Sequence, residues 1–140
     1  MRAALATLVL LLAGCGGGNS RASFVTDATK ICATTNDRVE ALGTPDSFTA
    51  TQLYARQAGD AVGDGIDDLE ALTPPQELEN AFKRYLTLLA QRRVALASMA
   101  EAADANNMRR IQEVGSDLDA VNKKARAEAR RSGIAECEPG

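Results

Sequence analysis

The sequence predicts an all-α domain, an up-down-up-down four-helix bundle. Three observations point there. Ala, Leu, Arg, Asp and Glu are abundant while only 4% of residues are aromatic, a balance that favours helix. Four long stretches carry apolar residues at every third or fourth position, the spacing of one helical face. Short turn-forming sequences separate them, which makes consecutive helices antiparallel neighbours. No strand-like alternation and no internal repeat interrupts the pattern. At 140 residues the chain is long enough for one domain with a real core.

A different kind of segment precedes the first helix. Arg2 is followed by an uncharged apolar run from Ala3 to Ala13, then Gly14 and Cys15. A basic start, an apolar centre and small residues at the cut are the parts of an export signal. The centre is about 11 residues, short of the ~20 that span a bilayer as a helix. The stretch Leu12-Ala13-Gly14-Cys15 resembles the bacterial lipobox: Leu, a small residue, Gly or Ala, then Cys. All four positions match. The resemblance implies that residues 1–14 are removed and that Cys15 carries a diacylglyceryl thioether, with palmitate-like chains, at the new N-terminus. Each buried methylene adds roughly 0.8 kcal/mol and one chain holds only marginally, so two chains give stable anchoring. Position 16 is Gly rather than Asp, which by the same resemblance is no signal for inner-membrane retention in a cell with two membranes. Residues 15–22 then form a Gly-rich tether. From Gly16 to Ala22 it reaches about 25 Å when extended, keeping the domain at 23–140 close to the lipid surface.

The first helix is expected from about Ser23 to Leu42. Phe24, Ala28, Ile31, Thr35, Val39 and Leu42 fall on one face, and Gly43 and Pro45 stop it. The second starts near Asp46 or Ser47 and ends near Leu72, with Thr49 and Gln52 as a capping box. Its inner stripe is Tyr54, Ala58, Val62, Ile66, Leu69 and Leu72. Gly59, Gly63 and Gly65 weaken it by roughly 0.8–1 kcal/mol each against Ala, so a bend, fraying or close packing is expected there. Thr73-Pro74-Pro75-Gln76-Glu77 reads as the start of the third helix: Thr73 caps, Pro74 takes the first helical position and Gln76 completes a box. That helix runs to about Ala105. Its apolar repeat of Leu78, Phe82, Tyr85, Leu89, Leu96, Met99 and Ala103 is broken by Arg92-Arg93. Asn106-Asn107 is a turn. The fourth helix takes Met108 to about Ser132, with Gly133 as the residue that ends it and Ile134 packing back.

The chain has three cysteines. With Cys15 lipidated by the resemblance, Cys32 and Cys137 remain, and an even pair in an exported domain points to a disulfide. The staple would close a loop of about 105 residues, worth ~4.7 kcal/mol in the chain-entropy treatment. In an up-down bundle the end of helix four lies beside the start of helix one, so the tail can fold back to Cys32.

Catalytic signatures are sparse. There is no His, no Ser-x-x-Lys and no Gly-rich phosphate loop after a strand, and His/Cys zinc sites are excluded by composition. An enzyme is therefore not expected, nor a cofactor or a bound metal. Asp60, Asp64, Asp67 and Asp68 share one helical face and lack the spacing of an EF-hand loop. They read chiefly as a solvated surface, with weak cation binding as the alternative. Acids outnumber bases eight to one from Asp46 to Asn80, whereas bases outnumber acids eleven to six from Ala81 to Ser132. Attraction between helices is the simpler account of that asymmetry, and contact with anionic lipid headgroups or wall polymer the other. With a net charge of −3, nucleic acid is not an expected partner.

Two functional readings follow. The first is a non-catalytic interaction module, held to the bilayer through Cys15 on the extracytoplasmic face, or at the outer membrane of a two-membrane cell, and binding another envelope protein. The chain is similar in general make-up to small helical lipoproteins of high-GC bacteria. That likeness rests on no motif past Cys15 and implies no activity. The second reading is a bundle that binds a small or anionic ligand through Arg92 or Arg93; the simpler account of these residues is a long side chain that runs along apolar surface and keeps its head in water. An interhelical cavity lined by one of them favours the ligand reading, and two arginines in solvent would sink it.

Overall fold

A computed structural model describes residues 20–139. The leader 1–14, the lipobox ending at Cys15 and the tether as far as Asn19 lie outside the described residues. Four helices follow: α1 (Arg21–Glu40), α2 (Phe48–Glu70), α3 (Glu79–Asp104) and α4 (Met108–Arg131). A short 3-10 turn over Ala135–Cys137 closes the tail. There is no strand among the described residues, and the all-α bundle with its one disulfide is as expected.

Cap chemistry sets most of the boundaries. Ser20 accepts the Ser23 amide at 3.2 Å, so α1 begins two residues before the expected start and takes Arg21 and Ala22 out of the tether. Ser47 accepts the Ala50 amide at 3.1 Å. That places the cap of α2 at Ser47 and puts Thr49 inside the first turn, where it makes no capping box. Gln52, the other member of the expected box, donates to the Asp104 carboxylate on α3 at 2.6 Å. Asn107 accepts the Arg110 amide and starts α4.

The start of α3 differs most from expectation. Thr73 and Pro74 are irregular, Pro75 to Leu78 form a turn with Leu78 N–H donating to Pro75 O at 2.9 Å, and the helix begins only at Glu79. A residue before proline is pushed out of the α region. Pro75 therefore denies Pro74 the first helical position that Thr73 would have capped.

At the other end of the chain α4 stops as expected. Gly133 has φ +74°, the Gly133 amide donates to Arg130 O, and the Ile134 amide donates to Ala129 O. This double bond is the Schellman pattern. It turns the chain so that Ile134 is fully buried.

The helices alternate in direction. Along α2, Gln52, Gly59 and Gly63 meet Asp104, Leu96 and Arg93 of α3 in descending order. Arg84 near the start of α3 bonds Glu128 near the end of α4. Thr35 and Arg38 of α1 meet Gly65 and Asp64 of α2. α2 and α3 form the central pair, with α1 on α2 and α4 on α3. The Cα atoms of α1 and α4 nowhere come within 8 Å; the tail turn sits between them and packs on both. The expected closing of helix four on helix one is thus made by residues 134–139 rather than by helix on helix.

That wedge decides how deep each stripe is buried. Phe24 and Ala28 are buried at the start of α1, and Phe24 meets Phe82 edge-on at 5.0 Å. Ile31, Val39 and Leu42 are only half-buried, and α1 packs on α2 and the tail but not on α4. On α2 the stripe Ala58, Val62, Ile66 and Leu69 is buried, and so are Gly59, Gly63 and Gly65 on its flanks. The helix is unbroken, and Gly65 serves close packing rather than a bend. At Gly65 a methyl group would collide with the Thr35 side chain of α1. On α4, Val114, Ala125 and Ala129 are buried while Ile111, Leu118 and Val121 are half-buried, since only α3 covers them.

Candidate functional site around Arg92

Arg92 and Arg93 are adjacent on α3, and a step of 100° per residue sends their side chains to different faces. Arg93 is exposed, and its guanidinium lies over Gly63 of α2. Arg92 points inward and is 8% exposed. It fills the gap in the apolar repeat between Leu89 and Leu96, both buried. Of the two sequence candidates only Arg92 belongs to an interior site.

A half-open cavity of about 570 Å³ lies against Arg92. Its walls come from four elements: Asn36, Val39 and Glu40 on α1, Gly43 and Thr44 in the connection, Tyr54 on α2 and Glu138 in the tail. The cavity lies where the end of α1 and the tail meet α2 and α3. On its other side Arg92 borders a small void beside the disulfide, lined also by Val62, Leu69 and Leu89.

The stem of Arg92 is buried, while its guanidinium nitrogens are not sealed from solvent. Arg92 forms no ion pair and donates no hydrogen bond among the described residues. Burial holds its pKa below the ordinary guanidinium value; Tyr54 and Tyr85 work in the opposite direction, and Arg126 pushes it down further. A guanidinium nevertheless keeps its proton in proteins. The cation therefore lies on a cavity whose wall also carries the Tyr54 phenol and the Glu40 and Glu138 carboxylates. Of the two glutamates on the cavity wall, Glu138 is paired with Arg130.

The tail is held firmly beside this cavity. Cys32 and Cys137 are disulfide-bonded, which joins α1 to the tail as expected. Tyr85 OH donates to Cys137 O at 2.8 Å. Asn36 donates to Glu138 O at 3.4 Å, and Arg126 donates to Pro139 O at 3.0 Å. Burial pushes the Tyr85 phenol well above the ordinary tyrosine value, with Arg92 countering in part. Sequence reasoning placed Tyr85 in the core stripe and missed this latch. Its signal was an aromatic with a polar tip, which seeks a partner once buried.

Glu128 was also missed. It is 8% exposed and takes Arg84 at 3.1 Å and Arg131 at 2.6 Å. Both arginines are more than half exposed, so the cluster reads as a surface clamp of α3 on α4.

The acidic face of α2 stays outside. Asp60, Asp64, Asp67 and Asp68 are all exposed, and Asp64 pairs with Arg38 at 2.9 Å. No group of three or more potential ligands among the described residues is arranged to hold a metal ion. No helix among them is long and apolar enough to cross a membrane. The chain matches no family model, no curated protein and no solved structure.

Proposed function

We propose that the protein is a lipid-anchored, non-catalytic binding module on the extracytoplasmic face of a cell membrane. The lipobox residues up to Cys15 supply the anchor. The observation that carries the compartment is the Cys32–Cys137 disulfide, because such bonds persist outside the reducing cytosol. It is independent of the leader. For an envelope partner the bundle offers the groove between α3 and α4, where Val94 is 67% exposed and lies near Val114 and Val121.

A second reading, ligand binding inside the bundle, is favoured by Arg92. Its guanidinium lines the half-open cavity with no ion-pair partner among the described residues, so an anion entering there meets a cation already in place. The two readings are compatible in one molecule.

Intact-mass analysis of the protein extracted from membranes tests the anchor. The expected species starts at Cys15 and carries the mass of a diacylglycerol, and Cys15→Ser moves the protein to the soluble fraction. A retained leader or a bare thiol at Cys15 overturns this reading. Crosslinking of the membrane-held form then identifies neighbours, which should change when the anchor is removed.

A further inference from the structure

The inference rests on the ligand-binding reading and names the ligand's chemistry. We propose that the cavity beside Arg92 takes a small organic monocarboxylate. Its carboxylate meets the Arg92 guanidinium, and its uncharged body lies against Val39 and Tyr54.

The charge comes first. Among the described residues Arg92 has no ion-pair partner, and Arg126 adds a second positive charge to its surroundings. A ligand with a single negative charge neutralises this site. A dianion such as phosphate fits less well, because the same wall carries the Glu40 and Glu138 carboxylates. Those acids favour an anion whose charge is confined to one end and kept at the guanidinium.

Shape comes second. The guanidinium is a planar fork that matches the two oxygens of a carboxylate, and such paired bonds are among the strongest polar contacts available. They gain further strength where water is scarce, as around a side chain 8% exposed. Small-molecule cavities usually measure about 300–1,000 Å³ and combine apolar walls with few polar groups. At about 570 Å³ this one lies within that range.

Position comes third. The wall opposite α3 is built from the end of α1 and the disulfide-held tail, and Asn36 bonds across to Glu138 O. The site is therefore assembled only when the tail is docked, and its geometry is fixed before a ligand arrives.

The test uses the full-length chain in nonionic detergent with arginine side chains isotopically labelled, and benzoate, benzamide and inorganic phosphate as probes. Benzoate is expected to shift the Arg92 Nε resonance and to raise the melting temperature; benzamide, its uncharged counterpart, should do neither. Arg92→Met should weaken benzoate binding at least tenfold while melting no lower than the parent without ligand, because a buried charge has been removed. Arg93→Met should bind as the parent does. In Tyr54→Ala the body contact is lost: benzoate weakens severalfold while acetate still moves the Arg92 resonance. Equal binding of benzamide, or unchanged benzoate binding by Arg92→Met, overturns the proposal. A response to phosphate without one to benzoate overturns the carboxylate assignment and leaves anion binding standing. If none of the anions moves the Arg92 resonance, both fall.

Discussion

Tyr85 shows how much one side chain can connect. Its ring belongs to the core between α1 and α3, and its hydroxyl donates to Cys137 O. Tyr85→Phe keeps the ring and leaves that buried carbonyl without its donor, a loss of about 1–2 kcal/mol at neutral pH. The pH dependence follows from the raised pKa of the phenol in the fold. An unfolded tyrosine ionises near pH ~10. Below that pH both states are neutral and the contribution is complete. Above it the unfolded chain releases a proton that the folded one retains, so stability falls as pH rises. Urea midpoints from neutral to alkaline pH should fall more steeply for the parent than for Tyr85→Phe. Parallel slopes would contradict a protonated, buried Tyr85. Arg92 was legible from the sequence as a break in an apolar stripe. Whether it or Arg93 turned inward was not, since two neighbouring arginines interrupt the repeat equally well and only the neighbouring helices decide.

Among the elements, α2 carries the clearest contrast. A methyl group at Gly59 would lie 3.8 Å from the Leu96 Cβ, an ordinary contact, whereas at Gly65 it would run into Thr35. Gly59→Ala should therefore stabilise the domain by about 0.5–1 kcal/mol through helix propensity. Gly65→Ala should destabilise it by about 1–3 kcal/mol through overpacking, and Thr35→Ala should restore much of that loss. Denaturant unfolding of the variants checks the order; a Gly65→Ala protein more stable than Gly59→Ala would refute the close approach of α1. The three glycines were visible in the sequence, but the room that Gly65 gives α1 was not, because one-dimensional spacing does not say which helix lies alongside. At the Pro74–Pro75 stretch two local signals compete. Thr73 and Gln76 satisfy a cap pattern, yet the backbone preference imposed by the second proline overrides it. Where a cap was unopposed, as at Gly133, the pattern held to the residue.

For the whole molecule, the number of helices, their order and the cysteine pair were legible, because each rests on periodicity or arithmetic. The cysteine pair also placed the tail against α1. It did not show that residues 134–139 would stand between α1 and α4, since a tail without periodicity does not show how much space it fills. This wedge makes the disulfide more than a clip at the chain ends. Separating Cys32 from Cys137 frees the tail, and with it one wall of the Arg92 cavity. Joining positions 105 residues apart should contribute on the order of 4–5 kcal/mol through the unfolded state. Thermal melts of Cys137→Ser, or of the parent with a reductant, should show that loss; unchanged melting would mean that packing alone holds the tail.

The covalent link also governs the fate of a nicked molecule. A protease that cleaves the exposed Asn106–Asn107 corner, or any other bond between Cys32 and Cys137, produces two polypeptides that remain tied to each other. The half bearing α4 then stays with the half bearing α1, wherever the latter is held, until a reductant releases it.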